Sequence, residues 1–200
     1  MKRKIISIVL LCSMFLSGCG NSDNTKSKLE EPDTLQEDSE RIPDIREICW
    51  GDSMDDVRRI EGKPVDQGDD GLVYNVKLCG YDATLLYSFD DDYGVYMAMY
   101  TVEGDRGTIE LSKFKKICEK ISELYGESEI TKVELSSLYK YCDNDGEALE
   151  MGYIMMGCNW NLNNTEVQSI ITRFDTSKKV CSAFTFSDNR YVEPEEENGF

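Results

Sequence analysis

The sequence predicts an α+β fold, with one antiparallel sheet of about five or six strands and two or three helices packed on one of its faces. Three observations carry that reading. Two segments, at 54–61 and 114–125, have helical apolar spacing, and at least four others alternate apolar with polar residues. Short turns of hairpin type join the alternating segments, where a parallel sheet would need long crossovers.

The first helix has its ends written in the sequence. Ser53 stands at the N-cap position with Asp56 three residues later, and Gly62 followed by Pro64 ends the element, so residues 54–61 are helical with Met54, Val57 and Ile60 facing the core. Gly68-Asp69-Asp70-Gly71 is a turn. After it Leu72, Tyr74, Val76 and Leu78 alternate with more polar partners, and Gly80 breaks the strand. Tyr81, Ala83, Leu85, Tyr87 and Phe89 form the next strand, and Asp90 to Gly94 turn the chain into a third at Val95 to Val102. In the second helix Phe114, Ile117, Cys118, Ile121, Leu124 and Tyr125 share one face, with Ser112 as N-cap and Gly126 as C-cap. Leu138 to Cys142 reads as a strand, and Gly146 to Met156 fits helix or strand. A last hairpin takes Glu166 to Phe174 and Lys179 to Phe186, turning at Asp175-Thr176-Ser177. The order suggests two loosely similar αβ halves without a residue-level repeat.

Composition narrows the chemistry. The chain has 200 residues, 22 Lys+Arg against 39 Asp+Glu, no histidine and a net charge of −17. Such a surface repels phosphate backbones, so nucleic acid is not an expected partner. Without histidine there is no Ser-His-Asp or Cys-His catalysis, no histidine-bearing zinc site and no histidine switch near neutral pH.

The N-terminus carries the strongest signal. Lys2, Arg3 and Lys4 precede twelve mostly apolar residues, Ile5 to Leu16, too few for the roughly 20 that span a bilayer. The segment ends Leu16-Ser17-Gly18-Cys19, which resembles the lipobox of bacterial lipoproteins. That resemblance implies a lipoprotein signal peptide at residues 1–18, cleavage after Gly18, and a diacylglyceryl group on Cys19 that holds the chain to the extracytoplasmic side of the cell membrane; two acyl chains suffice for stable anchoring. Cleavage removes three basic residues and no acid, leaving 19 basic against 39 acidic residues, a net charge of −20. Residues 19–44 then read as the lipidated cysteine and a disordered acidic tether, spanning roughly 25 to 30 Å as a flexible chain. Residues 45–188 read as a single α+β domain and 189–200 as an acidic C-terminal tail.

A second resemblance lies in Trp50-Gly51-Asp52-Ser53-Met54-Asp55-Asp56-Val57-Arg58-Arg59-Ile60-Glu61-Gly62-Lys63-Pro64. Gly51, Ser53, Val57, Gly62 and Pro64 match the G-x-[ST]-x3-V-x4-G-x-P element of the SmpA/OmlA-type accessory lipoproteins of barrel assembly and of the related β-lactamase-inhibitor-protein fold. The resemblance implies a small α+β module used for protein binding and brings no catalytic residues with it.

The candidate sites are few. Cys49, Cys79, Cys118, Cys142, Cys158 and Cys181 make an even six in a chain read as extracytoplasmic, so they are candidate disulfide cysteines with fifteen possible full connectivities. They include no C-x-x-C pair, and Cys118 on a helix's apolar face also suits a small buried hydrophobe. Asp143-Asn144-Asp145-Gly146 fails the calcium-loop test, because aligning Gly146 to the invariant glycine puts Tyr141 and Gly152 where acidic ligands belong. Asp66 to Gly71 fails in the same way, and both read as turns. No cofactor, metal or catalytic residue is expected. Tyr74, Tyr81, Tyr87, Phe89, Tyr96 and Tyr100 read as core or cross-strand pairs, and as a contact patch where two or three share an uncovered face. Trp50 reads as a hydrophobic staple under the first helix. The expectation is therefore a non-catalytic, membrane-anchored lipoprotein that binds a protein or another cell-envelope component. Two other readings stay open: a carboxylate-dependent glycan hydrolase, and a small solute- or cation-binding lipoprotein.

Overall fold

A computed structural model describes residues 43–174 and 177–192. The expected signal peptide, Cys19, the expected tether through residue 42, Asp175 and Thr176 of the expected turn, and the expected tail from residue 193 lie outside the described residues. The element order is α1 (Met54–Glu61), β1 (Asp66–Gln67), β2 (Gly71–Leu78), β3 (Tyr81–Asp90), β4 (Gly94–Gly104), α2 (Gly107–Tyr125), β5 (Thr131–Glu134), a 3₁₀ turn at Ser137–Tyr141, α3 (Asp145–Glu150), β6 (Ile154–Asn161), β7 (Thr165–Arg173) and β8 (Val180–Asp188). All strands join one antiparallel sheet in the order β1-β2-β3-β4-β8-β7-β6-β5. The sheet thus has eight strands where five or six were expected. The unforeseen strands are β1 and β5: β1 has only two residues, and β5 has Val133 as its sole apolar side chain, too little to register as alternation.

The topology has a two-fold logic. Each half is a helix followed by four strands paired in chain order, with the 3₁₀ turn and α3 inserted between β5 and β6 in the second half, and the fourth strands, β4 and β8, pair antiparallel at the centre from Met97↔Ser187 to Gly104↔Val180. Antiparallel pairing of equivalent strands is what an approximate two-fold normal to the sheet produces, and such an axis leaves both helices on the same side. One face of the sheet is therefore packed, and the other is left open.

The packed face holds the core. Val57 from α1, Phe114, Ile117 and Ile121 from α2, and Ala148 and Leu149 from α3 join Leu72, Leu85, Tyr87, Ala98, Ile154, Val167 and Phe184 of the strands in one buried cluster. Each large apolar side chain buried this way contributes roughly 1.5 to 3 kcal/mol. Phe114 stacks on Phe184 with centroids 5.6 Å apart, which seats α2 over the central strands. Tyr74, Tyr87, Phe89 and Tyr100 all turn inward to this core.

Local signals were obeyed where the caps are side chains of their own segment. Ser53 Oγ accepts from Asp56 N at 3.2 Å and donates to the Asp56 carboxylate at 2.6 Å. Cys79 and Gly80, both at positive φ, close the β2–β3 hairpin as a two-residue turn whose twist matches the strands. The second helix departs from expectation. It starts at Gly107, not after Ser112, because its cap comes from another element: Glu150 Oε1 of α3 accepts from Gly107 N at 2.7 Å. Leu124, expected on the buried face, is exposed. Leu138 to Cys142 is not a strand but the 3₁₀ turn, started by Ser136 Oγ accepting from Leu138 N at 3.2 Å. Gly146 to Met156 is both options in sequence, the greater part of α3 and then the start of β6.

Candidate interaction surface

Register identifies the side chains of the open face. Val73 pairs with Leu86, Leu86 with Met99, Met99 with Thr185, and Thr185 with Gln168, giving one row across five strands. The neighbouring row runs Asn75, Thr84, Thr101, Ala183, Ile170, Gly157 and Thr131. Met97 and Met155 lie on the same side, and no described element packs over these rows. Val73, Leu86, Met97, Met99, Met155 and Ile170 are half-buried, since flanking strands shield them from the sides. Val133 on the edge strand β5 is 46% exposed.

Charge is confined to strand ends. Lys77 and Asp82 pair at 2.6 Å at one corner, Lys179 and Glu103 pair at 3.2 Å, and Glu166 is the second residue of β7. The middle of the face is apolar or uncharged. Toward β5 a shallow depression of about 280 Å³ opens between Thr131, Val133, Met155, Gly157, Gln168 and Ile170. Gly157 leaves the floor of this depression bare of a side chain.

The aromatic residues do not form the contact patch. Tyr74 and Tyr87 meet edge to face in the core at 6.0 Å, and Tyr96, the extra residue of the β3–β4 bulge, stacks on Tyr191 at 4.3 Å. Methionine and aliphatic side chains take that place. Trp50 is buried, donates from Nε1 to Thr165 Oγ1 at 2.9 Å, and so ties the N-terminal segment to the start of β7.

The acidic candidates resolve into structural roles. Asn144 caps α3 by accepting from Glu147 N at 3.0 Å, Glu147 Oε2 accepts from Asp143 N at 2.7 Å, and Asp145 pairs with Lys132 and Tyr139. Among the described residues no group of three or more Cys, Asp or Glu is placed to hold a metal ion. The buried carboxylates each have a counter-ion. Glu61 accepts from Arg46 at 2.6 Å and Tyr87 at 2.7 Å, and Glu110 pairs with Lys113 at 2.9 Å. Burial raises the Asp188 carboxyl, but its bidentate contact with Arg190 and a hydrogen bond from Tyr93 outweigh that and hold it below the usual range.

The cysteines separate by position. Cys79 is exposed in the β2–β3 turn, and Cys142 lies before α3. Cys181 is buried on β8, where burial and then Glu103 and Glu110 push it up to about 11. Cys118 of α2 and Cys158 of β6 meet in the core with sulfurs 3.6 Å apart, and Ser169 Oγ lies 3.8 Å from the Cys118 sulfur. The contact between the two sulfurs lowers the Cys158 thiol and raises that of Cys118, which burial pushes up further.

Comparison with protein-family models, with curated proteins and with solved structures finds no match.

Proposed function

We propose that this chain is a lipid-anchored, extracytoplasmic lipoprotein that performs no chemistry and binds a protein partner of the cell envelope through the open face of its sheet. The observation that supports the reading best is that face itself, an eight-stranded surface whose middle carries no charge and sets Met, Val, Leu and Ile among Thr, Asn and Gln, where a solvated sheet would be more polar. Methionine adapts its shape at low cost, which suits a contact surface. The net charge of −17 disfavours an anionic lipid surface or nucleic acid and favours a polypeptide that is apolar in its middle and basic at its rim. Cys19 would supply the anchor, and among the described residues no helix is long and apolar enough to cross a membrane.

The test is site-specific photocrosslinking in cells with the full chain, placing the photoreactive residue at Met99 or Ile170 and, as a control, at Lys116 on the outer side of α2. A discrete crosslinked species from the two sheet positions, lost on Leu86→Asp and absent at Lys116, is the expected outcome. Crosslinks from Lys116 alone would move the contact to the helices and overturn the assignment. Cell fractionation of Cys19→Ala checks the anchor: unchanged membrane association overturns lipidation as the tether.

A further inference from the structure

The cysteines on the packed side of the sheet carry one step more. We infer that Cys118 and Cys158 are a disulfide pair, and that their bond clips α2 to β6 beneath the second half of the sheet. The pairing stands on geometry. Cys118 lies on the buried side of α2, Cys158 faces it from β6, their sulfurs are 3.6 Å apart, and both side chains are almost wholly shielded from solvent. Ser169, opposite Cys158 on β7, fixes the strand side by accepting from Cys158 N at 3.1 Å and donating to Cys158 O at 3.2 Å. The other candidate cysteines stand elsewhere, in the β2–β3 turn, the loop before α3, β8 and the N-terminal segment, so one of the fifteen full connectivities is not required for this bridge to close.

The chemistry is thiol–disulfide exchange, and its oxidant is a disulfide-bearing exported thiol oxidoreductase or a small-molecule disulfide. The Cys158 thiolate attacks one sulfur of the oxidant's disulfide; that S–S bond breaks and the oxidant leaves as its first thiol after taking up a proton. Cys118 then loses its proton and attacks the Cys158 sulfur of the mixed disulfide, expelling the oxidant's second thiol. Two protein thiols have given up two electrons and two protons, and one disulfide of the oxidant has become two thiols. Since both sulfurs are buried, exchange takes place before α2 has settled on the sheet, and the finished bond is sheltered from reductants.

The inference draws on the extracytoplasmic reading for its oxidising surroundings, and the experiment separates the two. The full chain is unfolded, refolded in a glutathione redox buffer, alkylated and mapped by mass spectrometry, in parallel with chain taken from cells and alkylated at once. The expected result is a 118–158 linked peptide pair in both samples, abolished by Cys118→Ser and by Cys158→Ser and retained in Cys79→Ser and Cys142→Ser. Reductant should lower the melting midpoint by roughly 10 °C and leave the Cys118→Ala/Cys158→Ala variant unmoved, which keeps the test informative if a single serine variant folds poorly. A refolded chain in which Cys118 and Cys158 are both alkylated, or are joined to other cysteines, overturns the pairing. A bond that closes on refolding but is open in chain from cells supports the pairing and overturns the oxidising surroundings, while the location itself is read from the Cys19→Ala fractionation.

Discussion

Gly107→Ala is expected to destabilise the domain, against what helix propensity alone says. Gly107 opens α2, where alanine would normally gain up to about 1 kcal/mol. Its φ is not positive, so no backbone strain is added. A Cβ at this position would sit 2.0 Å from the Gly146 carbonyl oxygen of α3, where ordinary contact begins at 3.4 Å. The obstacle is backbone, so α2 and α3 must separate by about 1 Å or more, and α3 carries the fully buried Ala148 and Leu149 with it. Overpacking of that kind costs about 1 to 3 kcal/mol. The shift also lengthens the 2.7 Å bond from Gly107 N to the Glu150 carboxylate, a charge-assisted cap that contributes about 1.5 to 3 kcal/mol. Net of the propensity gain, a loss of about 2 to 4 kcal/mol follows, or a melting midpoint lower by roughly 5 to 15 °C. Urea denaturation followed by far-UV circular dichroism measures it. Gly126→Ala is the control: its φ of 98° and ψ of 168° lie in a region that essentially only glycine adopts, but nothing lies within 4 Å of the new methyl, so only backbone strain of about 1 to 3 kcal/mol is expected. Equal or greater stability for Gly107→Ala would refute the close helix contact.

Two further expectations rest on buried polar pairs. Asp188 has a folded pKa held below its unfolded value of about 3.9, so the stability it supplies is present above about pH 4 and is lost as the pH falls through the folded value. Asp188→Asn should therefore lower the urea midpoint at pH 7 and flatten its decline toward pH 3, whereas parallel acid limbs in the two proteins would remove the charge from the account. Trp50→Phe breaks the 2.9 Å bond to Thr165 and strands a buried hydroxyl, a loss of about 1 to 3 kcal/mol; adding Thr165→Val should recover part of it in thermal denaturation, and strict additivity would mean the two do not interact.

Residues whose partners are near in sequence were legible. Ser53, Asp56 and Gly62 bound α1 as their order dictates, and the Tyr81 to Phe89 alternation became β3. What escaped depended on contacts across the fold. The start of α2 is set by Glu150, 43 residues away, so no capping residue near Gly107 announces it. β5 forms because β6 offers it an edge, pairing Val133 with Met155, and not because Thr-Lys-Val-Glu favours a strand. The Cys118–Cys158 pairing likewise needed the crossing of α2 over β6; from spacing alone all fifteen connectivities were equal.

The open face proposed as an interaction surface was half-legible, and the missed half shows what kind of face it is. An antiparallel sheet with one solvated side reads apolar and polar in turn. β4 does not: Val95, Ala98, Tyr100 and Val102 face the core, yet Met97 and Met99 stand on the other side, as Leu86 does on β3 and Ile170 on β7. Attention to the core set alone treats these as noise in the alternation. The approximate two-fold gives them meaning, because it places both helical layers on one side and commits the second apolar set to a face the described chain leaves uncovered. Strands β2, β3, β4, β7, β6 and β5 each contribute an apolar residue or, at Gly157, a bare backbone to that face. Apolar residues that recur in register from Val73 on one flank to Val133 on the other are a shared property of the sheet, and the acidic residues are held to its corners, where they do not interrupt it.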